Sequence, residues 1–177
     1  MEAYGGFGAD KRVLEIGPGY GRLLRACLDR RTPFGSYTVV DLSEHNIAYL
    51  RRQFPDPRVT TVVADAEGMS LSGRFDLVLS SLTFKHIFPD FTLALRNSAV
   101  HLEDEGRIFF DLFESTVVDR LFRTARYFEN ETTYIRRYTR REVGEILEAV
   151  GLDLVGFDTV RHDADNPRML VVARKGG

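Results

Sequence analysis

The chain has a single cysteine, Cys27, and no tryptophan. One cysteine excludes an internal disulfide and every paired-cysteine zinc motif. A reducing cytoplasm fits that usage. No HExxH pair and no clustered histidine–carboxylate set occurs, so no metal is expected. The GxSxG elbow of acyl chemistry is missing, and so is the lysine-bearing glycine loop that grips nucleotide phosphates. No apolar run reaches about 18 residues, and the leading MEAYGGFGADK has no apolar signal core. Neither a membrane span nor a signal peptide is expected. Net charge is −2 over 177 residues, which offers no broad attraction to nucleic acid or to an anionic membrane. What is present is an ordinary globular composition, 44% hydrophobic and 28% charged. That is enough for one domain, 1–177, with a real core.

Short apolar runs predict strands over 12–16, 37–41, 59–64, 75–80, 107–113, 152–157 and 169–173. Helical spacing fills the gaps. Leu23, Leu24, Cys27 and Leu28 share one face, so Cys27 reads as a small core residue rather than a reactive thiol. Ser43 caps a helix carrying Ile47, Leu50 and Phe54, and Leu95, Ala99 and Leu102 outline another. Ser115 caps a helix with Val118, Leu121, Phe122 and Ala125. Thr139 and Glu142 form a capping box before Val143, Ile146, Leu147 and Val150, with Gly151 as the stop. This alternation predicts an α/β fold: a doubly wound, mostly parallel seven-stranded sheet with helices on both faces. The last two strands have only the turn-rich 162–167 between them, which predicts an antiparallel C-terminal hairpin edge.

Residues 15–21 read EIGPGYG, so Gly17, Gly19 and Gly21 fall at the first strand–helix turn. In a doubly wound sheet that turn is where ligands sit. Glycine admits positive φ and lets a ligand approach bare backbone. A dinucleotide fingerprint is GxGxxG, whereas here the spacing is GxGxG with Glu15 two positions ahead. Asp41 ends the second strand, 24 positions after Gly17, close to the offset of about 20 at which a carboxylate meets ribose hydroxyls. A capping role beside Ser43 is its alternative. Asp65, at the end of the third strand, reads either as an acceptor for an exocyclic amino group or as a turn residue.

The segments EIGPGYGRLL, VVDLSE, VVADAE and FDLVLSSLTFKHI, in this order, resemble class I S-adenosylmethionine-dependent methyltransferases over nearly the whole chain. GRIFFDLFE and RMLVVARK look like later strands of that Rossmann-like family. The resemblance implies a transferase with S-adenosyl-L-methionine as donor and S-adenosyl-L-homocysteine as product. It implies that Glu15, Gly17, Pro18, Gly19 and Gly21 line the methionine part of the cofactor. Asp41 would hold the ribose, with Leu42 packing on the adenine. Asp65 and the Ala66 backbone would meet the adenine amino group, and Ser80 and Ser81 would flank the sulfonium and the acceptor. Family members often carry lid helices before the first strand. Here little precedes it, so Tyr4 and Phe7 supply a minimal lid or the lid is missing from this chain.

On the acceptor side, His86 is the best-placed candidate for a general base, with a loop cap or a cofactor contact as its alternative, and Asp111 and Glu114 close the fifth strand as candidates for acceptor contact. Other histidines read as scaffold: His45 and His101 on helix surfaces, His162 in a hairpin loop. Residues 115–141 hold seven arginines against three carboxylates, a local charge of +4. Aromatics are interleaved, and Tyr134, Arg136 and Tyr138 alternate, as on one face of an extended arm over the pocket. This segment is read as an acceptor-lid insertion, with a solvated helix face as its alternative. The expected function is methyl transfer to a small-molecule O or N acceptor, with no nucleic-acid or membrane partner and a homodimer left open. Two rivals stand beside it: a non-catalytic cofactor-binding module that docks on a partner protein, and a nicotinamide oxidoreductase.

Overall fold

The computed structural model describes residues 6–115, 126–128, 134–160 and 167–176. A five-stranded parallel body comes first: β1 (Gly8–Ile16), β2 (Phe34–Asp41), β3 (Val59–Val63), β4 (Phe75–Ser81) and β5 (Leu102–Glu114). Its spatial order is β3-β2-β1-β4-β5. Strand β9 (Arg168–Lys175) lies antiparallel along β5, from Arg107↔Arg174 to Phe113↔Arg168, and β8 (Leu152–Val160) is antiparallel to β9. Every expected strand is therefore present, and the C-terminal hairpin sits at the edge. Two short strands were not foreseen. Strand β7 (Tyr134–Tyr138) pairs in parallel with the end of β5 at Phe113 and Glu114, and β6 (Arg126–Phe128) is antiparallel to β7.

Helices α1 (Arg22–Asp29), α2 (Glu44–Gln53), α3 (Thr92–Val100) and α4 (Arg140–Ala149), with a single 3-10 turn at Phe84–His86, complete the described elements. Strand alternation splits the apolar residues between two faces. Val13, Tyr37, Val39, Leu77 and Leu79 pack with Leu24, Cys27, Ile47 and Leu50 of α1 and α2. Leu14, Ile16, Val40, Val78 and Phe110 pack with Phe84, Phe91, Leu95, Val143 and Leu147 on the other side. Both faces are covered, which is why these strands read as continuous apolar runs. The Thr139 capping box is present, with Glu142 N–H donating to Thr139 Oγ1 at 3.2 Å and Thr139 N–H donating to Glu142 Oε2 at 2.8 Å.

Local readings shift near residue 102. Leu102 was expected on a helix, but it opens β5 opposite Phe75. The register then jumps to Leu77↔Arg107, and Gly106 sits in the bulge, where an added Cβ would lie 2.8 Å from Leu102. His101 is buried rather than on the surface. Its carbonyl accepts from Phe75 N–H at 2.7 Å, which turns the end of α3 inward. The helix expected behind Ser115, residue Tyr4 and the His162 loop lie outside the described residues. Among those described, no helix is long and apolar enough to cross a membrane.

Candidate functional site

Parallel pairing brings the carboxyl ends of β1, β2 and β4 level: Ile16 stands opposite Val40 on one side and Ser80 on the other. The glycine turn leaves β1 at this rim. Gly17 N–H donates to Val40 O at 2.8 Å, and Gly21 N–H donates back to Pro18 O at 2.9 Å. All three glycines are left-handed, with φ of 63°, 55° and 76°, a region costing other residues about 1–2 kcal/mol. Their surroundings differ. A Cβ on Gly17 would lie 2.3 Å from the Thr83 side chain, and one on Gly21 would lie 2.7 Å from Leu50 and Phe54. At Gly19 a Cβ would meet nothing within 4 Å. The outer glycines allow close packing, while Gly19 presents bare backbone to open space.

Asp41 fixes this turn to the start of α2. Its Oδ2 accepts from Gly19 N–H at 3.2 Å and its Oδ1 from Ser43 N–H at 2.9 Å, while Asn46 Nδ2 donates to both oxygens at 3.2 and 3.3 Å. The turn reading beside Ser43 is what these bonds show, and they hold Asp41 at the rim. Beside it Leu42 is 71% exposed. Asp65 is exposed and heads a turn, accepting from Glu67 N–H at 2.9 Å. The Ala66 carbonyl accepts from Asn97 at 3.2 Å.

Glu15 faces away from the rim. It shares the face of Val13, is 2% exposed, and accepts from Tyr37 Oη–H at 2.7 Å. Burial pushes its pKa up to about 7, against the opposing pull of the Tyr37 hydrogen bond and the Arg22 charge. Ser80 Oγ is buried and has no hydrogen-bond partner among the described residues. Ser81 Oγ accepts from Arg22 Nη2 at 2.6 Å and donates to Asp111 Oδ2 at 3.0 Å. Asp111 Oδ1 accepts from the N–H of Leu82, a left-handed residue at φ 59°, at 2.7 Å. Asp111 is also ion-paired with Arg168. Both of its oxygens therefore brace the turn after β4. Thr83 Oγ1 donates to Gly17 O at 3.0 Å, clipping that turn to the glycine turn. Arg22, Thr83 and Arg168 were not anticipated. Arg22 alone carried a signal, since it directly follows the last glycine.

His86 Nδ1 lies 2.8 Å from the Tyr134 carbonyl. A carbonyl only accepts, so Nδ1 carries the proton, and in the neutral ring Nε2 is the free acceptor. The imidazole is exposed. The arm expected over the pocket is extended, but its three alternating residues are buried. Tyr134 Oη–H donates to Pro89 O at 3.1 Å, as does Arg136 Nη1 at 3.0 Å. Arg136 is also paired with Asp90 at 3.4 Å and Glu142 at 3.2 Å. Tyr138 is fully buried against Phe91. The alternation argument fails because every residue of β7 is buried, so neither face is free. Tyr134, Arg136 and Tyr138 clasp the 84–90 turn, Phe91 and α4. Glu114 is paired with Arg140 at 2.9 Å. Phe88 is 68% exposed and edge-on to Tyr134. Among the described residues no three His, Cys, Asp or Glu side chains group as for a metal.

The methyltransferase-domain family matches residues 2–156. Over 107 residues the chain is 29% identical to a malonyl-[acyl-carrier protein] O-methyltransferase of Priestia megaterium, covering 60% of this chain and 38% of that protein. It is 37% identical over 87 residues to a ribosomal RNA small subunit methyltransferase A of Bordetella pertussis, covering 44% of this chain and 32% of that one. The chain thus spans less than half the length of these curated relatives. A solved structure of a Burkholderia thailandensis 1,6-didemethyltoxoflavin-N1-methyltransferase, with that substrate and S-adenosylhomocysteine bound, superposes with a TM-score of 0.78 at 26% identity. The match covers 96% of this chain and 73% of that one. The chain belongs to the methyltransferase-domain family, whose cofactor is S-adenosyl-L-methionine, and not to the nicotinamide oxidoreductases.

Proposed function

We propose that this chain transfers a methyl group from S-adenosyl-L-methionine to an oxygen or nitrogen of a small-molecule acceptor, at the carboxyl rim of β1, β2 and β4. The observation that carries the reading is the left-handed Gly19, whose backbone opens onto the rim beside Asp41 and the exposed Leu42. A neutral glycine turn without a phosphate-gripping lysine suits a cofactor that has no phosphate. Ser80, buried at the end of β4 and without a partner among the described residues, is a polar group waiting for a ligand atom.

In this reading Gly17, Pro18, Gly19 and Gly21 shape the bed for the methionine part, and Glu15 supports it from beneath. Asp41 accepts from the ribose diol, Leu42 covers the adenine, and Asp65 with the Ala66 backbone meets its amino group. Ser80 and Ser81 border the reacting centre. The cofactor, when bound, supplies a methyl already activated by a positive sulfur. The protein then has mainly to align the acceptor and exclude water. A carboxylate or neutral amine needs no base. For a hydroxyl, His86 Nε2 takes the proton, with Nδ1–H held by the Tyr134 carbonyl. The relatives named for methylating the malonyl group of a carrier protein support an acidic oxygen acceptor.

Burial of Tyr134, Arg136 and Tyr138 favours one rival, a non-catalytic module docked on a partner, because it leaves the acceptor side with fewer contacts. Calorimetric titration of the chain with S-adenosylhomocysteine, alongside Asp41→Ala, tests the cofactor site. Binding that Asp41→Ala abolishes is the expected result. A folded chain that binds nothing overturns the reading. Methyl transfer to acidic and phenolic acceptors then separates the enzyme from the docked module.

A further inference from the structure

Arg22 has no assigned role, and its surroundings are unusual for a surface arginine. It is the first residue of α1, immediately after Gly21, and it is exposed. Its guanidinium reaches across to the end of β4, where Nη2 donates to Ser81 Oγ at 2.6 Å. Ser81 donates its own proton to Asp111 at 3.0 Å, so its lone pairs are fixed toward Arg22. Asp111 makes its own ion pair with Arg168, and Ser81 stands between it and Arg22. Glu15 is enclosed beneath the turn and bonded to Tyr37, and the Arg22 charge opposes the upward push of burial on it. Among the described residues, Ser81 Oγ is the acceptor Arg22 meets. A guanidinium has five N–H donors. The result is a cation oriented by a neutral hydroxyl at the mouth of the glycine turn, with most of its donors unspent.

We propose that Arg22, held in place by Ser81, binds the carboxylate at the amino-acid end of the methyl donor. This rests on the cofactor reading above and names the group that recognises one end of that ligand. A pre-oriented guanidinium is the side chain best matched to a carboxylate, through two parallel N–H···O bonds. Glycine backbone supplies the shape of the bed, and Arg22 supplies its charge.

The test compares two ligands by calorimetric titration. S-adenosylhomocysteine carries the carboxylate, whereas 5′-methylthioadenosine keeps the adenosine and the sulfur but lacks the amino-acid end. Arg22→Gln weakens S-adenosylhomocysteine by about 10- to 100-fold and leaves methylthioadenosine within about twofold. Arg22→Lys, which keeps the charge and loses the fork, falls between wild type and Arg22→Gln for S-adenosylhomocysteine alone. Equal weakening of both ligands in both variants makes Arg22 a structural residue and overturns the proposal. Unchanged S-adenosylhomocysteine affinity overturns it as well. If the wild-type chain binds neither ligand, the cofactor reading itself fails. A wild type that binds both isolates the question of Arg22.

Discussion

The glycine turn and the arginine-bearing hairpin both touch the turn after β4. Thr83 is bonded to Gly17, and His86 to the Tyr134 carbonyl. They are specified in different ways. The glycine turn is made of backbone. Its left-handed residues and the close approaches at Gly17 and Gly21 demand one residue type at fixed spacing. The hairpin's β7 strand is made of side-chain burial. Arg136 is stabilised by Asp90, Glu142 and the Pro89 carbonyl, groups that no local spacing announces. A site built from backbone constraints leaves a motif, while one built from tertiary ion pairs leaves only a composition.

Breaking the turn has the largest expected effect. In Gly17→Ala the new Cβ collides with Thr83 and sits at positive φ, which costs about 3–5 kcal/mol in urea denaturation and abolishes S-adenosylhomocysteine binding. Removing the obstacle with Thr83→Ala in the same chain recovers part of the stability. Gly19→Ala meets no neighbour, so it costs about 1–2 kcal/mol from backbone strain alone yet still loses binding. If the two alanines prove equally destabilising, the distinction between packing glycines and a ligand-facing glycine is lost.

On the hairpin side the order reverses, with stability affected and cofactor affinity spared. Arg136→Met breaks an ion pair whose arginine is buried, while Asp90 and Glu142 remain 32% and 39% exposed. Solvent softens the penalty, and about 2–3 kcal/mol is expected in the same denaturation assay. S-adenosylhomocysteine affinity stays at the wild-type value. A variant that is as stable as wild type but defective in acceptor turnover returns Arg136 to the acceptor pocket.

The same contrast explains what the sequence made legible. The seven main strands, the two faces of apolar residues and the caps at Ser43 and Thr139 follow from local rules: period, propensity and a side-chain oxygen within reach of N–H. Each can be read within a few neighbouring positions. Gly17, Gly19, Asp41 and Leu42 could be placed at one rim because parallel strands bring their carboxyl ends together. Thr83, Asp111 and Arg168 could not be assigned their roles. Their partners lie 66, 30 and 57 positions away, and nothing in their own neighbourhoods marks them. The burial of Tyr138 was not legible either, because alternation implies a free face only on a strand with one face bare, and every residue of β7 is buried.

Glu15 blurs the comparison, since its carboxyl depends on side-chain burial, and its effect appears only as pH rises. Its carboxyl has a pKa of about 7 in the fold, against 4.5 ordinarily, because burial disfavours the charged form. The native state therefore holds this proton where the unfolded chain has released it. Stability falls as pH rises from about 4.5 to about 7, and beyond that the full penalty of about 3 kcal/mol persists. Glu15→Gln removes the ionisation while keeping an oxygen for the Tyr37 hydroxyl. The variant and the wild type are expected to match near pH 4.5, and the variant to be more stable by about 3 kcal/mol at pH 8. Other groups titrate over the same range, but they are common to both chains and cancel in the difference. A difference curve flat from pH 4.5 to 8 would mean that Glu15 is ionised and solvated in the native state. The turn would then be a wholly backbone device, and its contrast with the hairpin complete.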